Sequence, residues 1–310
     1  MKKVLGALRD VARWLVPIQM MYFLLKVTSS NNTFAGKVRQ RLAYDRRPIL
    51  VTFVDKVAVR DYCREKSTSI RIPEIYQVAE TPDQLDPSLW PEEFVLKPSF
   101  GSGAVVMVTK SPKFGLNYDI QPKMFRWDHG YQGVLSAQFD LQRIRNLAGD
   151  WLENNYEYWT FKFPEWAYRD VPRRVIVEEI VRNLDGSPPT DFRIHCFHGK
   201  VVMIRVTDWE KRAWCFDRLG NPINARLPWD RPVAPNPGAL HTFWKDAVKE
   251  AELLSDGIDF IRVDLHLTET GVYFSELTPY PAGGLSDFAP REISQWLANL
   301  WGSTPVNPKQ

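Results

Sequence analysis

Apolar and polar residues alternate through Phe260-Ile261-Arg262-Val263-Asp264-Leu265-His266 and again through Val272-Tyr273-Phe274-Ser275-Glu276-Leu277-Thr278. Period-two alternation on both sides of a short turn ending in glycine predicts a β-hairpin. A three-residue loop, Glu269-Thr270-Gly271, puts glycine where a left-handed backbone is wanted. That loop sets Leu267 opposite Tyr273 and Asp264 opposite Glu276. Arg262, Asp264, His266, Glu276 and Thr278 then share one face, and Ile261, Val263, Leu265 and Leu277 the other. Two carboxylates directly opposed across a strand pair repel. A divalent cation between them relieves the repulsion, and oxygen-only ligands suit Mg²⁺, which is commonly held by one or two carboxylates plus phosphate oxygens. A solvated hairpin with a plain ion pair to Arg262 is the simpler reading of the same residues.

The same patterning divides the rest of the chain. Thr52 to Lys66 reads as a strand end running into a helix, with Asp55 as N-cap and Val57, Val59, Tyr62 and Cys63 as apolar positions. Phe94 to Lys97 is a strand, Gly101-Ser102-Gly103 a tight loop, and Ala104 to Val108 a second strand. Val175 to Val177 is a buried strand that runs into Glu178 and Glu179. Asp191–Phe197 and Lys200–Val206 are strands joined at His198-Gly199, and Ala213 to Asp217 is one more. Helices are expected over His241–Ser255, closed by Gly257, and over Arg291–Trp301. Thr81–Pro91, Asn183–Pro189 and 220–238 are rich in turn residues. Lys110 to Arg173 is aromatic and poorly periodic, read as helices with an exposed loop. No internal repeat is present.

At the N-terminus Val4, Leu5, Leu8, Val11, Ala12, Leu15 and Val16 recur with helical spacing, and Lys2, Lys3, Arg9 and Arg13 stay off that stripe. The apolar run Trp14 to Leu25 is too short for a bilayer, which needs about 20 residues, and no small-residue cleavage site follows it. A basic amphipathic helix of this kind either lies on an anionic membrane face or docks on the body of the protein. The balance of 40 basic and 37 acidic side chains over 310 residues, a net +3, argues against nucleic acid as the main partner. Cys63, Cys196 and Cys215 are odd in number and widely spaced, which fits a reducing compartment better than a disulfide framework.

Two further features carry chemistry. Lys97 beside Gly101-Ser102-Gly103 combines a point charge with backbone N–H groups that no side chain obstructs, as a phosphate requires. The loop is neither of the common phosphate fingerprints: no Lys-Ser/Thr closes it, and Val106 stands where a dinucleotide motif has its third glycine. Taken singly it reads equally well as an ordinary hairpin. The strand end Glu178-Glu179-Ile180 can offer backbone groups to an adenine edge, with Asp191 in reach of ribose hydroxyls.

In order along the chain, Lys56, Lys97 with its glycine loop, the acidic strand end at 178–179, and Asp264 with Glu276 on a hairpin resemble the ATP-grasp superfamily. The wording of Asp55-Lys-Val-Ala-Val-Arg60, Phe94-Val-Leu-Lys-Pro-Ser-Phe-Gly-Ser-Gly103, Val175-Ile-Val-Glu-Glu-Ile180, Asp191-Phe-Arg-Ile-His-Cys-Phe-His-Gly199 and Phe260-Ile-Arg-Val-Asp264 with Phe274-Ser-Glu-Leu-Thr278 resembles its TupA-like branch, associated with teichuronopeptide and other polysaccharide assembly. The resemblance runs from about residue 45 to about residue 290.

The resemblance implies an α+β fold in which a nucleotide is held between two α+β subdomains with antiparallel sheets. It divides the chain into a leader (1–47), an N-terminal helix and strand segment (48–90), a glycine-loop lid (91–180), a metal-binding catalytic subdomain (181–301) and a loose tail (302–310). Lys56 and Lys97 would hold the phosphates of ATP under a lid of Gly101, Ser102 and Gly103. Glu178, Glu179 and Ile180 would bind adenine, and Asp191 ribose. Asp264, Glu276 and Thr278 would bind one or two Mg²⁺, and Arg262 with Lys97 would face the transferring phosphoryl group. Gly283, Gly284 and Arg205 fall on the acceptor side. Thr278 departs from the superfamily, which usually has Asn there; a hydroxyl can still ligate Mg²⁺. The implied activity is ATP-dependent joining of a carboxylate to an amine through an acyl phosphate. Its expected partners are a saccharide bearing carboxylates, or its precursor, and an amine or amino acid. The expected location is the cytoplasm, with residues 1–25 as a peripheral contact to the inner membrane face. A glycosyltransferase is the alternative from another class, but no Asp-x-Asp occurs in the chain. A non-catalytic nucleotide-binding scaffold at the membrane is the third reading.

Overall fold

The structure, a computed structural model, describes residues 32–110, 131–153, 165–208, 212–230 and 240–302. The expected leader helix over 1–25, the tail after Gly302 and parts of 110–173 and 220–238 lie outside the described residues.

Phe34, Val38 and Leu42 recur at helical spacing and are buried, and helix α1 (Phe34–Tyr44) forms around them. Its N-cap is Thr33, whose hydroxyl accepts the Gly36 N–H at 3.1 Å. The Phe34 ring packs against Phe197, Phe260, Phe288 and Trp301. This helix therefore belongs to the core, although it lies within the expected leader of residues 1–47. The basic residues that suggest a solvated leader have buried partners instead. Arg41 donates to the Phe260 carbonyl at 2.7 Å and to Asp259 at 2.6 Å, with its guanidinium 4.5 Å from the Trp301 ring centroid.

Helices α2 (Ile49–Val54) and α3 (Val59–Lys66) follow. The β-branched run before Lys56, read as a strand end, is helical because Leu50, Phe53 and Val54 must all be buried together. Positions three and four apart lie on one side of a helix, whereas a strand would split them between faces. Asp55 ends α2, accepts the Val57 N–H at 2.9 Å and pairs with Arg174 at 2.6 Å.

Two sheets carry the remaining organisation. The first has five strands in the order β1-β5-β2-β3-β4. They are β1 (Ile75–Ala79), β2 (Phe94–Pro98), β3 (Val105–Thr109), β4 (Tyr131–Leu135) and β5 (Val175–Glu178). Its pairs are antiparallel except β3 with β4. Helix α4 (Leu141–Glu153) turns Ile144, Leu147, Ala148 and Trp151 into the core that Phe94, Leu96, Val106 and Val108 also enter. β1 joins this sheet, so the sheet draws on residues before the expected subdomain boundary at 91.

The second sheet has six strands in the order β11-β10-β6-β7-β8-β9. They are β6 (Thr190–Phe197), β7 (Lys200–Thr207), β8 (Ala213–Phe216), β9 (Pro222–Ile223), β10 (Phe260–Thr268) and β11 (Gly271–Thr278). Helix α5 (Trp244–Ser255) packs on β6, β7 and β10, and α6 (Arg291–Trp301) closes the chain against α1. Phe192, Ile194, Cys196, Ile261, Val263 and Leu265 form the buried face toward α5, where Cys196 Sγ lies 3.7 Å from the Ala251 carbonyl. Among the described residues no helix is long and apolar enough to cross a membrane.

The β10–β11 hairpin differs from expectation at its tip. Thr268 pairs with Gly271 and Leu267 with Val272, so the loop has two residues rather than three. A bulge at Ser275 then shifts the register by one, pairing Leu265 with Phe274 but Asp264 with Glu276. The expected carboxylate pair is present because the tip and the bulge offset each other.

Asp259 joins β10 to α1: it accepts from Arg41, from Arg47 at 2.8 Å and from the Trp301 indole at 2.9 Å. Burial works to raise its carboxyl, but Arg41, Arg47 and Trp301 outweigh it and hold the group below the ordinary carboxylate range. A depressed carboxylate stabilises the fold above its unfolded pKa, about 3.9, and loses that effect as pH falls through its native value. Asp259→Asn should therefore destabilise the protein by about 3 kcal/mol at pH 7. Urea denaturation of both proteins should show the difference shrinking below about pH 4.

Candidate active site

The polar face of the six-stranded sheet follows from strand register. Glu276, Asp264, Arg193 and Arg205 stand level across β11, β10, β6 and β7. One step along lie Thr278, Arg262, His195 and Met203, and one step the other way His266, Asp191 and Thr207. Acidic and basic groups thus intermingle on this face: Glu276 and Asp264 surround Arg262 on β10–β11, and Arg193 and Arg205 flank Asp191 on β6–β7.

Arg262 occupies the space between the opposed acids. Its Nε and Nη2 donate to the two Asp264 oxygens at 2.7 and 2.5 Å, and Nη2 also reaches Glu276 at 3.1 Å and Thr278 Oγ1 at 3.0 Å. Thr278 in turn donates to Glu276 at 2.9 Å. The simple ion pair and the cation-site reading therefore use the same atoms. Burial pushes the Asp264 carboxyl up, to about 7, with Arg262 pulling against it and Glu276 adding to the rise. Burial works upward on Glu276 too, but Arg262, Asp264, Lys56 and Thr278 outweigh it and bring that carboxyl down to about 2. Burial alone would lower Arg262; Asp264 and Glu276 hold it above its ordinary value.

The five-stranded sheet supplies the opposite wall. Lys97 on β2 pairs with Glu178, which also accepts from Arg60 at 2.5 Å. Lys56, just before α3, donates to the Gly101 carbonyl at 2.5 Å. Gly101 and Gly103 have φ of 70° and 85°, a conformation that glycine adopts without strain. Burial pulls Lys56 down, to about 8, and neighbouring Lys97 adds to the fall, while Glu276 and Glu178 work against it. Glu276 belongs to the other sheet, so the lysines and the carboxylates act on one another across the gap between the sheets. His266 shows the same proximity: burial lowers its ring, Asp191 raises it, and Lys97 lowers it further.

Several expected residues meet here and others do not. Lys56, Lys97, Asp191, Arg262, Asp264 and Glu276 lie within electrostatic reach of one another, with Gly101 of the glycine loop joined to Lys56 and Thr278 to Glu276. Glu178 is buried as the partner of Lys97 and Arg60 rather than offered to a ligand. Glu179 binds Glu74 in both directions, through its backbone N–H at 2.9 Å and its carboxylate at 3.1 Å. Ile180 packs with Val95, Val105 and Met107 in a small apolar patch on the Lys97 side of the sheet. That patch was missed by sequence reasoning, because alternation names two faces of a strand without saying which one stays uncovered. Asp191 is held by Arg193 at 2.9 Å. Arg205 is buried against Asp230 and donates to Thr207 at 2.9 Å, so its charge is already matched.

Gly283 and Gly284 are buried away from this cleft, beneath α1. A Cβ on Gly284 would meet Arg39 Cγ at 2.8 Å and the Ala35 carbonyl at 3.0 Å, and its φ is +67°. The pair is explained by close packing of the chain on that helix.

Asp264, Glu276 and Thr278 give three converging oxygens. Among the described residues no group of three His, Cys, Asp or Glu side chains is placed to hold a metal. Two carboxylates and a hydroxyl fit Mg²⁺, which keeps waters and takes phosphate oxygens, better than a metal needing an all-protein cage.

Comparisons with known proteins followed this geometry. The family described as TupA-like ATPgrasp matches residues 36–301. Among solved structures, the chain is similar to D-alanine–D-alanine ligase from Bacillus anthracis complexed with ATP, at 12% identity over 74% of this chain and 54% of that one, with a TM-score of 0.37. It is similar to D-alanine–D-alanine ligase from Helicobacter pylori, at 14% identity over 82% and 62%, with a TM-score of 0.44. It is also similar to the ATP-grasp ligase PsnB complexed with a phosphomimetic variant of its minimal precursor, Mg and ADP, at 13% identity over 96% and 72%, with a TM-score of 0.43. The match spans about half the length of the first of these ligases. No curated protein matches the chain.

Two outcomes are expected. In protein with ¹³C-methylated lysines, one resonance should titrate near pH 8 and should vanish in Lys56→Arg. Gly284→Ala should lower stability by about 2 kcal/mol in denaturant titration, from left-handed backbone strain and contact with α1.

Proposed function

The chain belongs to the TupA-like ATP-grasp family, and on that premise we propose that it is an ATP-dependent carboxylate–amine ligase. The observation that carries the reading is the meeting of opposite charges: Lys97 on the five-stranded sheet and Lys56 just before α3 confront Asp264, Glu276 and Thr278 on the other sheet, with Arg262 among them. Adenine lies on the apolar patch of Val95, Val105, Met107 and Ile180, beside the strand end at Glu178 and Glu179, and Asp191 serves the ribose. Lys56 and Lys97 hold the phosphates, with Gly101, Ser102 and Gly103 folding over them. Asp264, Glu276 and Thr278 hold one or two Mg²⁺, which when bound would neutralise phosphate charge beyond the reach of the lysines.

The reaction follows from the charges. The carboxylate oxygen of one substrate forms a bond to the γ-phosphorus of ATP as the bond to ADP breaks, giving an acyl phosphate. The amine nitrogen of the second substrate attacks the acyl carbon, phosphate leaves with the bonding pair, and the amine loses a proton. The protein positions the groups and offsets charge; Lys97 and Arg262 face the transferring phosphoryl group. Acyl phosphates hydrolyse readily, so a glycine loop able to close over the cleft has a chemical purpose. The resemblance to the TupA-like branch favours, as acceptor, a saccharide bearing carboxylates, or its precursor, joined to an amine or amino acid. Gly283 and Gly284 act on the acceptor side only through the packing of the loop after β11.

Asp264→Asn and Glu276→Gln should each reduce substrate-dependent ADP release by about a hundredfold or more while circular dichroism remains that of the parent. The assay is a screen of amino acids and amines against uronic-acid oligosaccharides. Substrate-dependent ADP release that survives in both variants would remove the metal assignment.

A further inference from the structure

One nitrogen of Arg262 touches all three side chains assigned to the metal. Nη2 donates to Asp264 Oδ2 at 2.5 Å, to Glu276 Oε1 at 3.1 Å and to Thr278 Oγ1 at 3.0 Å, while Nε holds the second Asp264 oxygen at 2.7 Å. A Mg²⁺ ion needs its oxygens at about 2.1 Å. The guanidinium nitrogen and an ion therefore compete for one position and cannot share it.

The guanidinium finds no second anchor nearby. The third carboxylate whose charge it feels is Asp191, and that group is engaged by Arg193 at 2.9 Å. Glu178, on the other sheet, is taken up by Lys97 and Arg60. Lys56 acts on Glu276 and Arg193 on Asp264, and both are cations that would repel a displaced arginine. Its register neighbours on the sheet, Thr278 on β11 and the buried His195 on β6, offer no anion. Its departure would leave two opposed carboxylates, Asp264 of them buried, without the cation between them.

We infer that Arg262 is a resident counter-cation that keeps free divalent ions out of the Asp264–Glu276 site and yields it only when a triphosphate arrives. This role rests on the assignment of Asp264, Glu276 and Thr278 to the metal. A phosphate group gives the guanidinium a planar, bidentate anionic partner in exchange for Asp264. The same phosphates supply oxygens to complete the shell of Mg²⁺. A free ion brings no anion for Arg262 and sheds its waters reluctantly. It would neutralise the acids and strand the guanidinium as an unpaired, half-buried cation. Metal and nucleotide are therefore admitted together, with Arg262 moving from the acids to the phosphates.

The test is titration of the full chain with Mn²⁺, a paramagnetic stand-in for Mg²⁺, with the free ion followed by electron paramagnetic resonance and no nucleotide present. The parent should show no saturable binding below about 1 mM, whereas Arg262→Met should bind Mn²⁺ at least about tenfold more tightly. Adding Asp264→Asn to Arg262→Met should abolish the gain. Equal, saturable binding by the parent and Arg262→Met would overturn the role of Arg262 and keep the metal site. Absence of binding by both would remove the metal site itself, and the role with it. Should Arg262→Met fail to fold by circular dichroism, the ¹⁵N-labelled arginine side chains of the parent decide. The Nε–H signal that Asp264→Asn displaces should stay in place as Mg²⁺ is added alone, and move when Mg²⁺ and a non-hydrolysable ATP analogue are added together. Movement with Mg²⁺ alone, or none once the analogue is bound, would overturn the assignment.

Discussion

The opposition of Asp264 and Glu276 across two strands is the constraint around which the molecule is arranged. Two carboxylates at one register level are unstable unless positive charge stands between them, and here the Arg262 guanidinium does so, with four contacts to three side chains. Burial makes the demand stronger, because low local dielectric amplifies both the repulsion and its relief. The far face of the same strands is fully apolar, so neither strand can slip by one residue without sending Ile261, Val263 and Leu265 to the charged side. Core packing thus holds the acids in register despite their repulsion.

The opposite wall follows the same logic with the signs exchanged. Glu178 pairs with both the half-buried Lys97 of β2 and the buried Arg60 of α3, which is what makes two cations tolerable beside the small sheet. Lys56 has a carbonyl rather than a carboxylate as its direct partner, and its charge is correspondingly less well supported. The cleft therefore has one strongly compensated cation, one weakly compensated cation, and a pair of acids bridged by an arginine. Such an arrangement is costly for stability and suited to a ligand carrying several negative charges with its own counter-cation.

Stability comes from elsewhere. The aromatic cluster of Phe34, Phe197, Phe260, Phe288 and Trp301 ties α1 and α6 to the end of β10, and Asp259 with Arg41 and Arg47 fastens the same junction. These contacts lie at the start of the strand that carries Arg262 and Asp264, so the helices around the chain ends support the chemistry without touching it. The glycines after β11 serve that packing: Gly284 lets the chain pass close under α1, and Arg39 donates to its carbonyl at 2.5 Å.

Much of this was legible in the sequence. Period-two alternation located β2, β5, β6, β7, β8, β10 and β11, and the last helix begins and ends where its apolar spacing does, because these elements bury one face and expose another and so carry their own signature. The pairing of Asp264 with Glu276 was also legible, although through a loop one residue too long and a bulge that restored the register. Family-level wording was enough to single out the lysines and the acids that the fold brings within electrostatic reach of one another. Three things were decided only by tertiary structure. Helix α1 looked like a solvated leader because burial of Arg39 and Arg41 depends on partners more than 200 residues away. The stretch from Thr52 looked like a strand end because β-branched residues prefer a strand locally, and only the surrounding core requires Leu50, Phe53 and Val54 on one side of a helix. The apolar patch of Val95, Met107 and Ile180, and the use of Glu178 as an anchor, needed the sheet to be assembled. Local sequence specifies which faces are apolar; which apolar face is covered, and which charge meets which, is a property of distant segments brought together.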